Sequence, residues 1–169
     1  MKYFAYGSNM LSSRLIARVP ARSLGMAILP QYTLRWDYHS LDGSGKCNIV
    51  QTGHPADAVY GVVYEMDKTD FPALDAIERG YDRIEVLLTH GAKATSAWAY
   101  IYSKSAEREP PYDWYKNLVV EGAIEHLFPA AIVEALRAVP SVPDPQADRP
   151  SKLHAERLVS EAKTRSLNE

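Results

Sequence analysis

An α+β domain, built on a closed or strongly curved mixed sheet (a small β-barrel) and flanked by a few helices, is the fold class that this sequence predicts. Three observations carry it. At least five strand-like runs lie between residues 2 and 102, and helix-like stretches are few among them. From Tyr112 the apolar period changes to helical. A chain of 169 residues with 46% hydrophobic content suffices for one full core and is short for two.

The elements follow in order. Residues 2–6 are aromatic and apolar, as a buried strand should be. After the Gly7-Ser8-Asn9 turn, Asn9 or Ser12 can cap a helix reaching Arg18, with Leu11, Leu15, Ile16 and Val19 as its apolar stripe. Strands are expected over residues 24–29, 32–37, 47–51 and 59–66, the last mostly apolar and hence central. Between them, residues 40–46 have the Asp-Gly-Ser-Gly composition of a loop. Asp67 or Thr69 can cap a short helix with Phe71, Leu74 and Ile77 on one face, and Pro72 is tolerated in its first turn. Residues 81–89 and 95–102 form a hairpin around residues 90–93.

Leu118, Val119, Gly122 and residues 124–127 line one later helix, and Ile132, Val133 and Leu136 the next. Pro140, Pro143, Pro145 and Pro150 then mark an extended linker. Residues 152–163 are expected as an amphipathic helix with Leu153 and Leu158 inward. Residues 1–139 therefore read as one compact domain, and 140–169 as a Pro-rich linker with a helical tail.

Composition narrows the function. A net charge of -2 with no local Lys/Arg run supplies no field for nucleic acid or an anionic membrane, so the expected partner is a small molecule. A homodimer is compatible with this composition. The longest apolar run near the N-terminus has only the length of a strand, which argues against a signal peptide or membrane span. The single Cys47 permits no internal disulfide and suits a reducing cytoplasm, where a small residue in a strand serves packing.

Several chemistries are argued against. His39, His54, His90, His126 and His154 are scattered without an i, i+4 pair, so no metal site is expected. Ser8 lacks the Gly-x-Ser-x-Gly elbow of a nucleophile, and Gly61 and Gly80 build no phosphate loop, so no nucleotide cofactor is expected.

What remains is an anion cradle and a carboxylate. The strand, the Gly7-Ser8-Asn9 turn and a helix start would aim backbone N–H groups at one spot, where a carboxylate or oxyanion could bind. Gly7 would allow close approach or a positive φ. Glu78 ends the short helix just before Arg79, Gly80 and Tyr81. The negative helix end and partial burial would raise its pKa from a usual ~4.3 toward the range of a general base, unless Arg79 folds back. Asp75, one turn away, and Glu85, on a strand face with Tyr81 and Arg83, compete for that role.

Together, residues 3–10 (Tyr-Phe-Ala-Tyr-Gly-Ser-Asn-Met), residues 59–64 (Val-Tyr-Gly-Val-Val-Tyr), residues 74–78 (Leu-Asp-Ala-Ile-Glu) followed by Tyr81, and residues 112–115 (Tyr-Asp-Trp-Tyr) resemble the γ-glutamylcyclotransferases. The match runs in the same order over about residues 2 to 138. The resemblance implies a compact mixed barrel and a cofactor-free reaction, in which a γ-glutamyl amide closes to 5-oxoproline and releases an amine, as in glutathione-related metabolism. It implies a cradle at Tyr6, Gly7, Ser8, Asn9 and Met10, a catalytic Glu78, and pocket-closing Tyr81, Tyr100 and Tyr115. Tyr100 has core packing as its plain alternative. Whether the cradle takes the α-carboxylate or the oxyanion stays open at this level. The rival reading is a non-catalytic binder of an acidic metabolite, and Glu78 speaks for the enzyme.

Overall fold

The structure, a computed structural model, describes residues 1–104 and 109–166; residues 167–169 of the expected tail lie outside it. Five strands close into a barrel in the order β1 (Lys2–Ala5), β5 (Ala58–Glu65), β2 (Arg22–Pro30), β6 (Asp82–His90) and β7 (Lys93–Ile101). Closure is made by a parallel contact of β7 with β1, Tyr3 opposite Trp98. β5 is central, as its apolar run predicts: it pairs β1 with Phe4 opposite Val63, and β2 with Ala27 opposite Gly61. Val62, Val63 and Tyr64 are wholly buried.

The expected 24–29 and 59–66 strands thus belong to the barrel, but 32–37 and 47–51 do not. β3 (Tyr32–His39) and β4 (Gly45–Gln51) form their own two-stranded sheet. Pro30 ends β2, and Gln31, at a φ of 64°, turns the chain out of the barrel.

Three later helices pack outside. α3 (Asp113–Glu125) approaches so closely that a Cβ on Gly122 would stand 2.6 Å from Leu11 N and 2.7 Å from the Met10 carbonyl carbon. Only a residue without a side chain lets α3 seat there. α3 ends in a left-handed turn, with Leu127 N donating to Ile124 O and Phe128 N to Ala123 O. This throws Leu127 into solvent, against the expected stripe at residues 124–127. α4 (Ala130–Arg137) buries Val133 and Leu136. The proline-rich segment docks onto its own domain: Val142 bridges Tyr112, and the Trp114 indole N–H donates to Asp144 at 2.9 Å. α5 (Pro150–Ser166) buries Ala155, Leu158, Val159 and Ala162, whereas Leu153 is exposed.

Other helix expectations need correction. α1 spans only Ser12–Ile16, with Leu11 at its N-cap and no side-chain cap. Neither Asn9 nor Ser12 caps it, because Asn9 holds Glu78 and the Ser12 hydroxyl bonds with Tyr64 and His126; Ile16, expected in the apolar stripe, points outward. In α2 (Phe71–Ile77), Phe71 and Leu74 are buried and Ile77 is not. Asp67 does cap the preceding turn, accepting from Thr69 N at 3.0 Å.

Candidate active site

A pocket of about 320 Å³ opens where β1 leaves the barrel. Its floor is the chain just after β1: Tyr6, Gly7, Ser8 and Asn9, the last two opening a single 3-10 turn, Ser8–Met10. Glu78, Tyr81, Tyr100 and Tyr115 form the walls. Eight of the nine expected site residues therefore meet here from four separate stretches of chain. The ninth, Met10, is buried in the core, where its carbonyl accepts from the Tyr64 hydroxyl at 2.7 Å and its N–H donates to Gly7 O at 2.9 Å. It lines the apolar cleft that Trp36 and Phe128 share instead.

Gly7 has a φ of -122°, so no positive φ is needed there. What requires glycine is space: a Cβ would lie 3.1 Å from Cys47 Cβ and 3.2 Å from the Tyr115 hydroxyl. Conformational freedom is required at Gly80, where φ is +93° and a Cβ would meet the Tyr38 hydroxyl at 2.8 Å. That hydroxyl donates to Arg79 O at 2.9 Å, and the Tyr38 ring stacks on Tyr81 at 4.3 Å. The β3–β4 sheet thereby clamps the segment between Glu78 and Tyr81.

Glu78 closes α2, its N–H donating to Leu74 O. Its side chain is 17% exposed. Asn9 Nδ2 donates to Glu78 Oε1 at 2.9 Å, and Arg18 Nη1 stands 3.5 Å from the same oxygen while donating to Asn9 Oδ1 at 2.9 Å. Both contacts fall on Oε1. The cation beside Glu78 is thus Arg18, and Arg79 folds onto its own helix, its Nε donating to Ala76 O. The rival carboxylates are spent elsewhere or misplaced. Asp75 accepts from the Tyr100 hydroxyl at 2.6 Å and pairs with Arg83 at 3.1 Å, and Glu85 is exposed on the barrel wall.

The tyrosines are held as neutral phenols. Burial pushes Tyr6, Tyr81 and Tyr115 well above the ordinary phenol range, and burial together with Asp75 raises Tyr100. Tyr6 donates to Tyr100 O, and Tyr81 to Cys47 O at 2.8 Å. Tyr115 instead accepts the Cys47 N–H at 3.1 Å, which leaves its own proton to give. Its ring is fixed edge-on by Trp36 and Trp114, each at 6.0 Å, and Lys46 Nζ lies 4.7 Å from it while paired to Asp42 at 2.8 Å.

Three contributors were not singled out from sequence. Tyr3 lines the pocket beneath Asn9, which donates to its hydroxyl at 3.1 Å. Arg18 enters through the turn after α1. Cys47 packs, as a small strand residue should, but in the pocket wall; burial pushes its thiol up to about 12, so it is no thiolate nucleophile. No local motif marks Arg18 or Cys47, and Tyr3, though it opens the stretch of residues 3–10, reads there only as a buried strand residue. Among the described residues, no group of three His, Cys, Asp or Glu could hold a metal, and no helix is long and apolar enough to cross a membrane.

The barrel and the glutamate at its mouth define a class of protein first. The AIG2-like family matches residues 58–136, which include Glu78 and Tyr81. YkqA from Bacillus subtilis shares the fold alone, with a TM-score of 0.70 at 18% identity over 84% of this chain and 56% of that one. A solved structure of a γ-glutamyl cyclotransferase is nearer, at a TM-score of 0.82 and 30% identity, covering 95% of this chain and 98% of its own. Human γ-glutamylcyclotransferase is 31% identical over 149 residues, covering 81% of this chain and 77% of the human protein. The chain belongs to the γ-glutamylcyclotransferase family.

Proposed function

We propose that this protein cyclises a γ-glutamyl amide to 5-oxoproline and releases the amine, without a cofactor, with Glu78 as general base and then general acid. The observation that carries the reading is the tethering of Glu78 by one oxygen only. Asn9 and Arg18 both hold Oε1, and Glu78 lines the pocket, which leaves Oε2 as the oxygen to meet the substrate.

The chemistry asks little more. A γ-glutamyl group carries its own nucleophile, and holding it folded is worth up to ~7 to 11 kcal/mol of barrier. Glu78 takes a proton from the α-ammonium, and the freed amine attacks the γ-carbonyl carbon. A C–N bond forms, the ring closes, and the γ-oxygen becomes an oxyanion. Collapse breaks the original amide bond as Glu78 returns that proton to the departing nitrogen, and the ring nitrogen gives its second proton, through the regenerated Glu78 carboxylate, to the released amine, which leaves as an ammonium. No water is consumed.

Placement follows from adjacency. The α-carboxylate sits on the same carbon as the ammonium, and the ammonium must meet Glu78 beside Asn9, so the backbone of residues 7–9 receives the carboxylate. Tyr115, with a proton to give, then faces the developing oxyanion. Tyr6, Tyr81 and Tyr100 wall in the glutamyl chain. A cytoplasmic setting, in which the lone Cys47 stays a thiol, belongs to the same proposal.

Glu78→Gln tests it. The amide is nearly isosteric and still accepts from Asn9, but it cannot take a proton. Turnover should fall at least ~100-fold with little change in Kd for 5-oxoproline. Asp75→Asn and Glu85→Gln are matched controls with much smaller expected effects. Activity of Glu78→Gln within a few-fold of the parent rules out Glu78 as the base.

A further inference from the structure

A second pocket, of about 650 Å³, lies beside the first and shares no lining residue with it. It is lined by Arg14, Ala17 and Arg18 on one side and by Pro150, Ser151 and His154 on the other. Arg14 is the unusual member. Its residue is only 9% exposed, and its Nε is enclosed with no hydrogen-bond partner among the described residues. No carboxylate among the described residues lies within ion-pair distance of it; Glu78, whose charge it feels, is taken by Arg18. A guanidinium cannot shed its charge as a buried lysine does, and a buried charge without a partner is strongly unfavourable. Burial and Arg18 push Arg14 down to about 9, which still leaves it cationic at neutral pH.

Opposite Arg14 stands the N-terminus of α5, a helix of 17 residues whose first position is Pro150. The leading N–H groups of a helix have no partner within it and form its positive end. We propose that this pocket is a binding site for a phosphate-type oxyanion, held between the Arg14 and Arg18 guanidinium groups and the first turn of α5. A tetrahedral oxyanion offers acceptors to both guanidinium forks and to the helix end at once, which a planar carboxylate does less well. It also supplies the charge that Arg14 lacks.

Arg18 is shared. Its Nη1 holds Asn9 and faces Glu78, so the oxyanion would lie one side chain away from the catalytic carboxylate. The site itself stands on Arg14 and α5, and its test does not depend on what Glu78 does.

The experiment is calorimetric titration and thermal unfolding of the full chain with inorganic phosphate, against chloride at matched ionic strength. One saturable site per chain is expected, with Tm rising by about 5 °C or more at a hundredfold excess over Kd. Glycerol phosphate is the second probe. If it binds as inorganic phosphate does, the site takes phosphate monoesters; if only inorganic phosphate binds, it takes the free ion; either supports the proposal. Arg14→Met should abolish binding and, freed of an unpaired buried charge, should unfold at a higher temperature than the parent in phosphate-free buffer. Should that variant fail to fold, His154→Glu sets a negative charge at the exposed mouth, and phosphate should then bind at least about tenfold more weakly. Absence of saturable phosphate binding to the parent, or unchanged binding in the folded variants, overturns the proposal while leaving 5-oxoproline formation as a separate question.

Discussion

Replacing Gly7 by alanine probes a tightly packed point of the proposed catalytic pocket. The added methyl would stand 3.1 Å from Cys47 Cβ, 3.2 Å from the Tyr115 hydroxyl and 3.7 Å from Cys47 Sγ. The backbone raises no objection, because φ is -122°. The strain is one of space: Cys47 Cβ and the Tyr115 hydroxyl must each yield by a few tenths of an ångström, while Cys47 Sγ stays in ordinary contact. Overpacking of this kind costs about 1–3 kcal/mol, or about 2–12 °C of Tm for a domain of this size. Tyr115 is the wall that counts, since it is held by Trp36, Trp114 and the Cys47 N–H and is the proposed proton donor to the oxyanion. Misplacing such a group by ~1 Å can lower turnover ~100-fold, so a loss of about tenfold or more in kcat/KM is expected from a smaller shift. A double-mutant cycle with Tyr115→Phe isolates the contact, because removing the hydroxyl removes what the methyl presses on. The two losses, read as 5-oxoproline formation from a γ-glutamyl amide, should fall short of additivity by at least about 0.5 kcal/mol. Strict additivity, or a folded Gly7→Ala with the parent's kcat/KM, refutes the placement of Gly7 against Tyr115.

The tail and the thiol supply further tests beside Glu78→Gln. Asp144 is fully enclosed and accepts from Arg149 Nε at 2.6 Å, which holds its carboxyl at about 2 against a usual 3.8. A depressed carboxyl stabilises the fold above its unfolded pKa, so docking of the tail should weaken as pH falls from about 4 toward 2. Trp114 emission should report this, and a flat signal, or the same acid slope in Asp144→Asn, counts against it. Removing residues 141–169 strips Ala155, Leu158, Val159 and Ala162 from α3 but no proposed catalytic group. At about 1.5–3 kcal/mol for each large side chain, Tm should fall by about 10 °C or more while turnover stays measurable in the cold; a folded truncation without activity would place the tail in the pocket. Cys47, its thiol raised to about 12 by burial, should resist iodoacetamide at pH 8 until the protein unfolds; fast labelling of the native protein contradicts its place in the wall.

Sequence alone determined what depends on neighbours along the chain. Alternating and continuous apolar runs mark β1, β5 and the β6–β7 hairpin, because a strand's two faces repeat every second residue. The Gly-Ser-Asn turn after β1 and the glutamate at the end of α2 were legible for the same local reason, and the resemblance joined them into one site. Short helices were less legible. With five and seven residues, α1 and α2 span barely one or two turns, so period cannot settle which side faces inward, and Ile16 and Ile77 prove exposed. The rest was decided by contacts across the fold. Arg18 meets Glu78 from 60 residues away and Tyr115 meets Cys47 from 68, Gly7 is needed for the space beside those partners and not for its φ, and Arg14 comes to share a pocket with the start of α5 without a counter-charge among the described residues. Charge pairing, steric contact and burial are properties of three-dimensional packing, and no spacing along the chain encodes them.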